Sequence, residues 1–390
     1  MINNLSVLKS TKSIFGYFIF FILVYPYFTW WTSLFIIIFF VFVIFKDGIK
    51  IINPYFGFIC FFLISLVSFL YTDHLYDSVK IIEKKLPFVF LSFIFSALKF
   101  SDKQLQVLKY VFLISVVFMI LKSSIVAIEF YNRPTEHFTL IHLPHALSSM
   151  SGFHAPYYSL YISFSSFIAI SLFLECKNLR YIIIYILLLG FNFLLSSRMG
   201  LFCQIFSTIF IVGIIAIKNK AYYYIVLIVI TFTSLFVLSY HFLPRMKDRI
   251  DNFSKFNNGS ERIMIWDSAF NIIKKYPVLG VSDGNLSYEL NETYKSKKYK
   301  ELVDSGLNIH NQYLHQFAAN GILGFLFIIL FFSYLFYRYF KSSNYLGVMG
   351  MISIILASCT EVLFARQKGI LIFCFIVFFS EALMVNRDEK

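Results

Sequence analysis

The chain has 390 residues, 59% of them hydrophobic, 21% aromatic and only 14% charged, with a mean hydropathy of +0.74. Soluble domains are roughly half apolar and about a quarter charged, so this make-up excludes an ordinary water-soluble fold and points to a polytopic membrane protein. The formal net charge of +13 is dispersed among apolar runs instead of forming one basic stripe, which speaks against nucleic acid as a partner.

A membrane-spanning helix needs about 20 apolar residues, and backbone polar groups in lipid must bond within their own segment or within a closed barrel. A barrel shows stretches of roughly ten residues with alternating polarity. The runs 33–45 and 181–195 are apolar on every side instead, so the expected fold class is all-α, a helical membrane bundle. About twelve spans are expected on this length criterion: 14–29, 31–45, 54–71, 86–98, 105–125, 157–174, 181–196, 199–217, 222–240, 312–337, 345–364 and 369–385. Little more than Trp30 separates the first two, which form either a hairpin or one long tilted span with a re-entrant piece. Three regions follow: N-terminal spans in 1–239, a polar segment in 240–311, and C-terminal spans in 312–390.

Short cytoplasmic loops collect Lys and Arg. With the N-terminus inside, every turn on that side holds a basic pair: Lys9 and Lys12, Lys46 and Lys50, Lys99 and Lys103, Lys177 and Arg180, Lys218 and Lys220, Arg338 and Lys341, Arg387 and Lys390. Both termini are then cytoplasmic, and the polar segment lies outside. The first apolar run lacks a small-residue cleavage site and reads as a retained signal anchor. The cysteines (Cys60, Cys176, Cys203, Cys359, Cys374) sit in spans or a cytoplasmic turn, giving no disulfide framework or cysteine metal site.

The polar segment is organised. After Pro244-Arg245 and a charged run comes the turn Asn257-Asn258-Gly259-Ser260, then a stretch from Arg262 to Lys275 that sets Ile263, Trp266, Phe270 and Ile273 three and four residues apart. This spacing predicts an amphipathic helix lying against headgroups or capping the bundle. Pro277 ends it, Gly280 turns the chain, and a second polar stretch rich in Lys and Tyr follows.

Chemistry is expected on the outer face, where Arg198, Arg262 and His310 all fall. Each has a plain alternative: Arg198 as a snorkelling span end, Arg262 as a solvated helix residue, His310 as a polar helix start. Together they suit an anion, because a guanidinium fork binds phosphate oxygens in pairs. Lys80, Lys84, Lys85, Arg366 and Lys368 lie on the same face against the positive-inside trend, which fits an anionic headgroup such as a polyprenyl pyrophosphate. The loop histidines His137, His142, His145 and His154 lack the spacing of a zinc site. No phosphate-binding glycine loop, serine elbow or Asp-x-Asp pair occurs, so a soluble nucleotide sugar is not the expected donor, and neither metal nor cofactor is expected.

The run Leu195-Ser196-Ser197-Arg198, then Arg262-Ile263-Met264-Ile265-Trp266 with Pro277-Val278-Leu279-Gly280-Val281, then His310-Asn311-Gln312-Tyr313-Leu314 with Gly321-Ile322-Leu323-Gly324 resembles the O-antigen ligase and polymerase family of bacterial membrane glycosyltransferases. His154-Ala155-Pro156-Tyr157-Tyr158, Glu83-Lys84-Lys85-Leu86-Pro87 and the run from Glu361 through Arg366-Gln367-Lys368 to Gly369 are similar to the flanks of that family. One departure is Ser282-Asp283-Gly284, where the family pattern leads us to expect a more glycine-rich turn.

The resemblance implies a GT-C-like bundle in the bacterial inner membrane. It further implies transfer of a glycan from undecaprenyl pyrophosphate, on the periplasmic face, to the lipid A core (ligase) or to another lipid-linked repeat unit (polymerase), without metal. On this likeness Arg198 and Arg262 hold the pyrophosphate, aided by Lys84, Lys85, Arg366 and Lys368, and His310 acts on the acceptor hydroxyl. A lipid-linked oligosaccharide flippase or exporter shares the helix count and basic residues, but the chain lacks the internal repeat expected of one.

Overall fold

The computed structural model describes residues 29–48, 53–132, 142–220, 223–242 and 261–388, with positions 16, 18, 19, 21, 22 and 51 besides. Among these residues the regular structure is helical, with no strand. The helices are α1 (Thr29–Asp47), α2 (Phe56–Ser68), α3 (Leu75–Ala97), α4 (Asp102–Tyr131), α5 (Leu143–Leu147), α6 (Ala155–Cys176), α7 (Arg180–Leu194), α8 (Arg198–Lys218), α9 (Tyr223–Phe242), α10 (Glu261–Lys275), α11 (Leu286–Ser296), α12 (Gln312–Lys341), α13 (Tyr345–Ser358) and α14 (Gln367–Asp388). Helices α4, α6, α8, α12 and the stretch Gln367–Val385 of α14 are long and apolar enough to cross a membrane, and Thr32–Phe45, Phe56–Tyr71, Arg180–Leu194 and Tyr345–Ser358 are shorter apolar helices. Most of the expected span 14–29 lies outside the described residues.

Helix α6 runs through the centre, packed by α4, α7, α8, α13 and α14, and its side chains from Tyr157 to Ile170 are buried on every side. That explains its lack of an apolar stripe, since a helix surrounded by others needs none. Serines along α6 admit a polar network instead: Asn192 of α7 donates to Gln204 of α8 at 2.7 Å, and Gln204 donates to Ser166 at 2.7 Å. Each buried amide thereby finds a partner away from water. Beside it, Phe58, Phe88, Phe332, Phe364 and Phe373 meet at ring separations near 5.3 Å, several of them edge to face, the preferred arrangement for aromatic quadrupoles.

The polar segment builds a second, smaller core from Ile265, Ala269 and Ile272 of α10, Leu286 and Leu290 of α11, and Ala318 and Ala319 of α12. The helix expected from Arg262 to Lys275 is present, with its packed face rotated. Ile265, Ser268, Ala269, Ile272 and Ile273 are buried, while Ile263 and Phe270 are 56% and 49% exposed. Two overlapping stripes share the same spacing, and tertiary packing selects the one with the small residues.

Two further elements differ from expectation. Helix α3 begins at Leu75 and passes through Pro87, so Lys80, Lys84 and Lys85, expected in a loop, are helical; hydropathy alone does not register a polar first half. Helix α13 stops at Ser358, and Cys359 to Arg366, expected mostly within a span, form a loop with a tight turn at Leu363–Ala365.

Helix α12 is broken at Gly321, where φ is +62° and ψ is −161°. The segment after α10 seats itself in this break. Val281 and Ser282 N–H groups donate to the carbonyls of Ala318 and Ala319, both at 2.9 Å, and Ile322 N–H donates to the Pro277 carbonyl at 3.0 Å. Such an approach demands glycine on both sides: a Cβ on Gly280 would lie 2.5 Å from the Ala319 carbonyl, and one on Gly321 would overlap the Val278 carbonyl. The motifs Pro277-Val278-Leu279-Gly280 and Gly321-Ile322 are thus the two halves of one backbone joint.

Candidate functional site

A cavity of about 620 Å³ opens at one end of the bundle, and Arg198, Arg262, His310, Glu361, His154 and His145 are among its lining residues. The helices α6, α8, α10 and α12 all begin at or beside it, at Ala155, Arg198, Glu261 and Gln312. Helix N-termini present unpaired N–H groups and the positive end of the dipole. Their convergence with two arginines makes the cavity strongly suited to a phosphorylated ligand.

Each side chain is placed by local chemistry. Past α7, Ser196 adopts φ +50° and reverses the chain, so Arg198 opens α8. Gly200 then packs on Ser159 with no room for a Cβ, seating the first turn of α8 on α6. On α10, Trp266 lies one turn beyond Arg262 and donates its indole N–H to the Ile309 carbonyl at 2.9 Å. That bond ties the arginine-bearing helix to the residue preceding His310.

His310 takes the left-handed conformation, φ +50°, which His tolerates better than most residues. Its N–H donates to Asn308 Oδ1 at 2.9 Å. Asn311 then caps α12, accepting from Leu314 N–H at 3.0 Å and donating to the Cys359 carbonyl at 3.1 Å. The imidazole is delivered to Glu361, with Nδ1 3.7 Å from Oε2. This separation exceeds a hydrogen bond but is close enough for the carboxylate to stabilise an imidazolium. Glu361 is buried, 6% exposed. Sequence reasoning gave it no role; its position in the loop that follows α13 is the clue that hydropathy hid. His154, just ahead of α6, has its pKa pushed down by burial; the Glu361 carboxylate opposes this, and Arg366 and His310 add to it.

Of the residues expected to bind pyrophosphate, Arg198 and Arg262 line this cavity, whereas Lys84, Lys85, Arg366 and Lys368 do not. Lys84 is exposed on α3. Lys85 turns inward, donating to Asp283 Oδ2 and to Ser65 Oγ, each at 2.7 Å, with both charged side chains nearly inaccessible. Burial alone raises a carboxyl pKa, but the Lys85 ammonium, aided by His315 at 3.7 Å, holds Asp283 well below the usual carboxylate range. The unexpected Ser282-Asp283-Gly284 turn is therefore a docking point. Gly284 has no room for a Cβ against Ser78, and Asn285 Oδ1 accepts from Thr72 Oγ1 and Asp73 N–H at 2.9 and 3.0 Å. Arg366 is exposed with its guanidinium 5.9 Å from the Tyr157 ring centre, and Lys368 donates to the Gly152 carbonyl at 2.8 Å above the Phe153 ring. His137 lies outside the described residues. Among the described residues no three His, Cys, Asp or Glu side chains are grouped as metal ligands.

Residues 183–329, from α7 through the Gly321 break of α12, match the family model for O-antigen ligase. This stretch is similar to the O-antigen ligase family. It contains Arg198, Arg262, His310 and both halves of the glycine joint. The likeness to O-antigen ligase over this stretch, together with the long apolar helices, supports a membrane protein of the ligase or polymerase type. No curated protein matches the chain.

Proposed function

We propose that the protein transfers a glycan from undecaprenyl pyrophosphate to a sugar hydroxyl of the lipid A core, on the periplasmic face of the inner membrane. The observation that carries this reading is the single cavity lined by Arg198, Arg262 and His310, with Glu361 behind the histidine. The two arginines and the surrounding helix ends hold the pyrophosphate. As the acceptor oxygen attacks the anomeric carbon, the bond from that carbon to the pyrophosphate oxygen breaks, and charge grows on the leaving undecaprenyl pyrophosphate, where fixed cations stabilise it. His310 takes the acceptor proton, and Glu361 stabilises the resulting imidazolium. The leaving group is already good, so this route requires no metal. Periplasmic placement is supported by the basic turns: Lys177 and Lys218 meet around a separate cavity formed where α6, α8 and α14 end and α13 begins.

The test is glycan transfer from a lipid-linked donor by purified protein in detergent. His310→Ala is expected to abolish turnover, about 10² to 10⁴ in rate, with donor binding retained. Arg198→Ala and Arg262→Ala are expected to weaken donor binding as well. Near-normal turnover by correctly folded His310→Ala protein overturns the assignment of the base. Transfer by the purified protein excludes an exporter, and deletion of the gene followed by a lipopolysaccharide gel then separates the other two readings: unsubstituted core marks a ligase and core bearing one repeat marks a polymerase.

A further inference from the structure

The loop between α13 and α14 is fixed from several sides. Tyr157 donates to the Val362 carbonyl at 2.9 Å, Phe364 N–H donates to Gln312 Oε1 at 2.9 Å, and Tyr161 donates to the Lys368 carbonyl at 2.8 Å. Leu363 and Phe364 are buried, Gln367 reaches Ser33 of α1 at 2.9 Å, and Gly369 has no room for a Cβ against the Leu363 carbonyl. At the point of this rigid loop Arg366 is exposed, and no carboxylate pairs with it among the described residues. Lys368 adds a second, half-buried cation two residues on, with donor capacity beyond its one bond to Gly152. Arg366 stands beside the cavity's His154 side: its guanidinium lies 5.9 Å from the Tyr157 ring centre, and the residues just before Tyr157, from His154 to Pro156, line that cavity with Glu361 and His310.

Two separate cationic groups thus stand near the His310–Glu361 pair, Arg198 with Arg262 lining the cavity and Arg366 with Lys368 beyond its lining. One pyrophosphate needs only the first. We propose that Arg366, assisted by Lys368, forms a second anion subsite that receives a phosphate group of the acceptor. It thereby guides the acceptor hydroxyl toward His310. This inference rests on the transferase reading above and adds that both substrates carry phosphate.

The test has an arm independent of turnover. Farnesyl diphosphate titrated into the purified protein in detergent is expected to occupy two positions per chain; Arg366→Ala removes one and Arg198→Ala the other. Binding to a single position in the unaltered protein, or loss of the same position in both variants, overturns the proposal. Equal displacement of the Arg366-dependent ligand by phosphatidylglycerol assigns the position to membrane lipid and also overturns it. In the transfer assay, Arg366→Ala is expected to raise KM for a phosphorylated acceptor about ten- to a hundredfold, the range for losing a charge-assisted hydrogen bond. The donor KM stays unchanged, and Arg366→Lys recovers part of the loss. A matching rise in donor KM makes Arg366 part of the donor clamp instead. If the protein binds two diphosphates yet transfers nothing, the transferase reading fails while the second subsite stands.

Discussion

His310 reaches Glu361 through a backbone choice: a left-handed residue, held between Asn308 and the Asn311 cap, directs the imidazole across to the loop after α13. A carboxylate so placed both orients the ring and stabilises the charge it acquires, and the loss of such a partner in other triads is severe. Glu361→Gln keeps the shape and removes the charge. It is expected to lower kcat on the order of 10² or more with little change in donor KM; steady-state kinetics in detergent decide this, and an unchanged kcat sinks the role. That Arg198, Arg262 and His310 come together at one cavity was legible in the sequence from residue type, motif context and the expected topology. Glu361 was not, because its role arises only from the φ of a residue 51 positions earlier and from the early end of α13. Lys85 was legible as a charge, but its partner Asp283, 198 positions away, was not.

At the scale of elements, most helices could be read from apolar length, and the failures share a cause. The polar first half of α3, the packed face of α10 and the loop at Cys359 to Arg366 are all decided by what packs against them. The joint between Gly280 and Gly321 shows why two short motifs occur together. Gly321→Ala combines an unfavourable left-handed alanine with overlap on the Val278 carbonyl, and about 2 to 4 kcal/mol of destabilisation is expected. Gly306 has φ +64° but nothing within 4 Å of a Cβ, so Gly306→Ala should cost only about 1 to 2 kcal/mol. Thermal unfolding of the two variants in one detergent tests the order, and equal losses would remove the joint from the account.

Across the whole molecule, the bundle and the polar segment are fastened by the buried pair Lys85–Asp283 as well as by the glycine joint. Removing one member of such a pair strands the other charge, at about 3 to 5 kcal/mol. Lys85→Met and Asp283→Asn are each expected to lose activity with folded yield, and the exchanged pair Lys85→Asp with Asp283→Lys to recover part of both. If Lys85 instead touched the donor directly, the exchanged pair would fold yet stay inactive. The sign with pH follows from the depressed carboxyl: its stabilisation is complete above the ordinary Asp value of about 3.9 and is lost as the pH falls through that value toward the lower one of the folded state.

The break in α12 bears on how the protein lives in membranes of different thickness. Bilayers that thin or swell act on long apolar helices, which respond by tilting. The apolar stretch of α12 lies almost wholly beyond Gly321, while Ala318 and Ala319 before it belong to the small second core, with Leu314 and Phe317 packed against it. Because the Ile322 N–H just beyond the break is bonded to the Pro277 carbonyl, a tilt of the span is passed to the segment that follows α10. Bilayer thickness is therefore expected to bear on the spacing between Arg262 and His310.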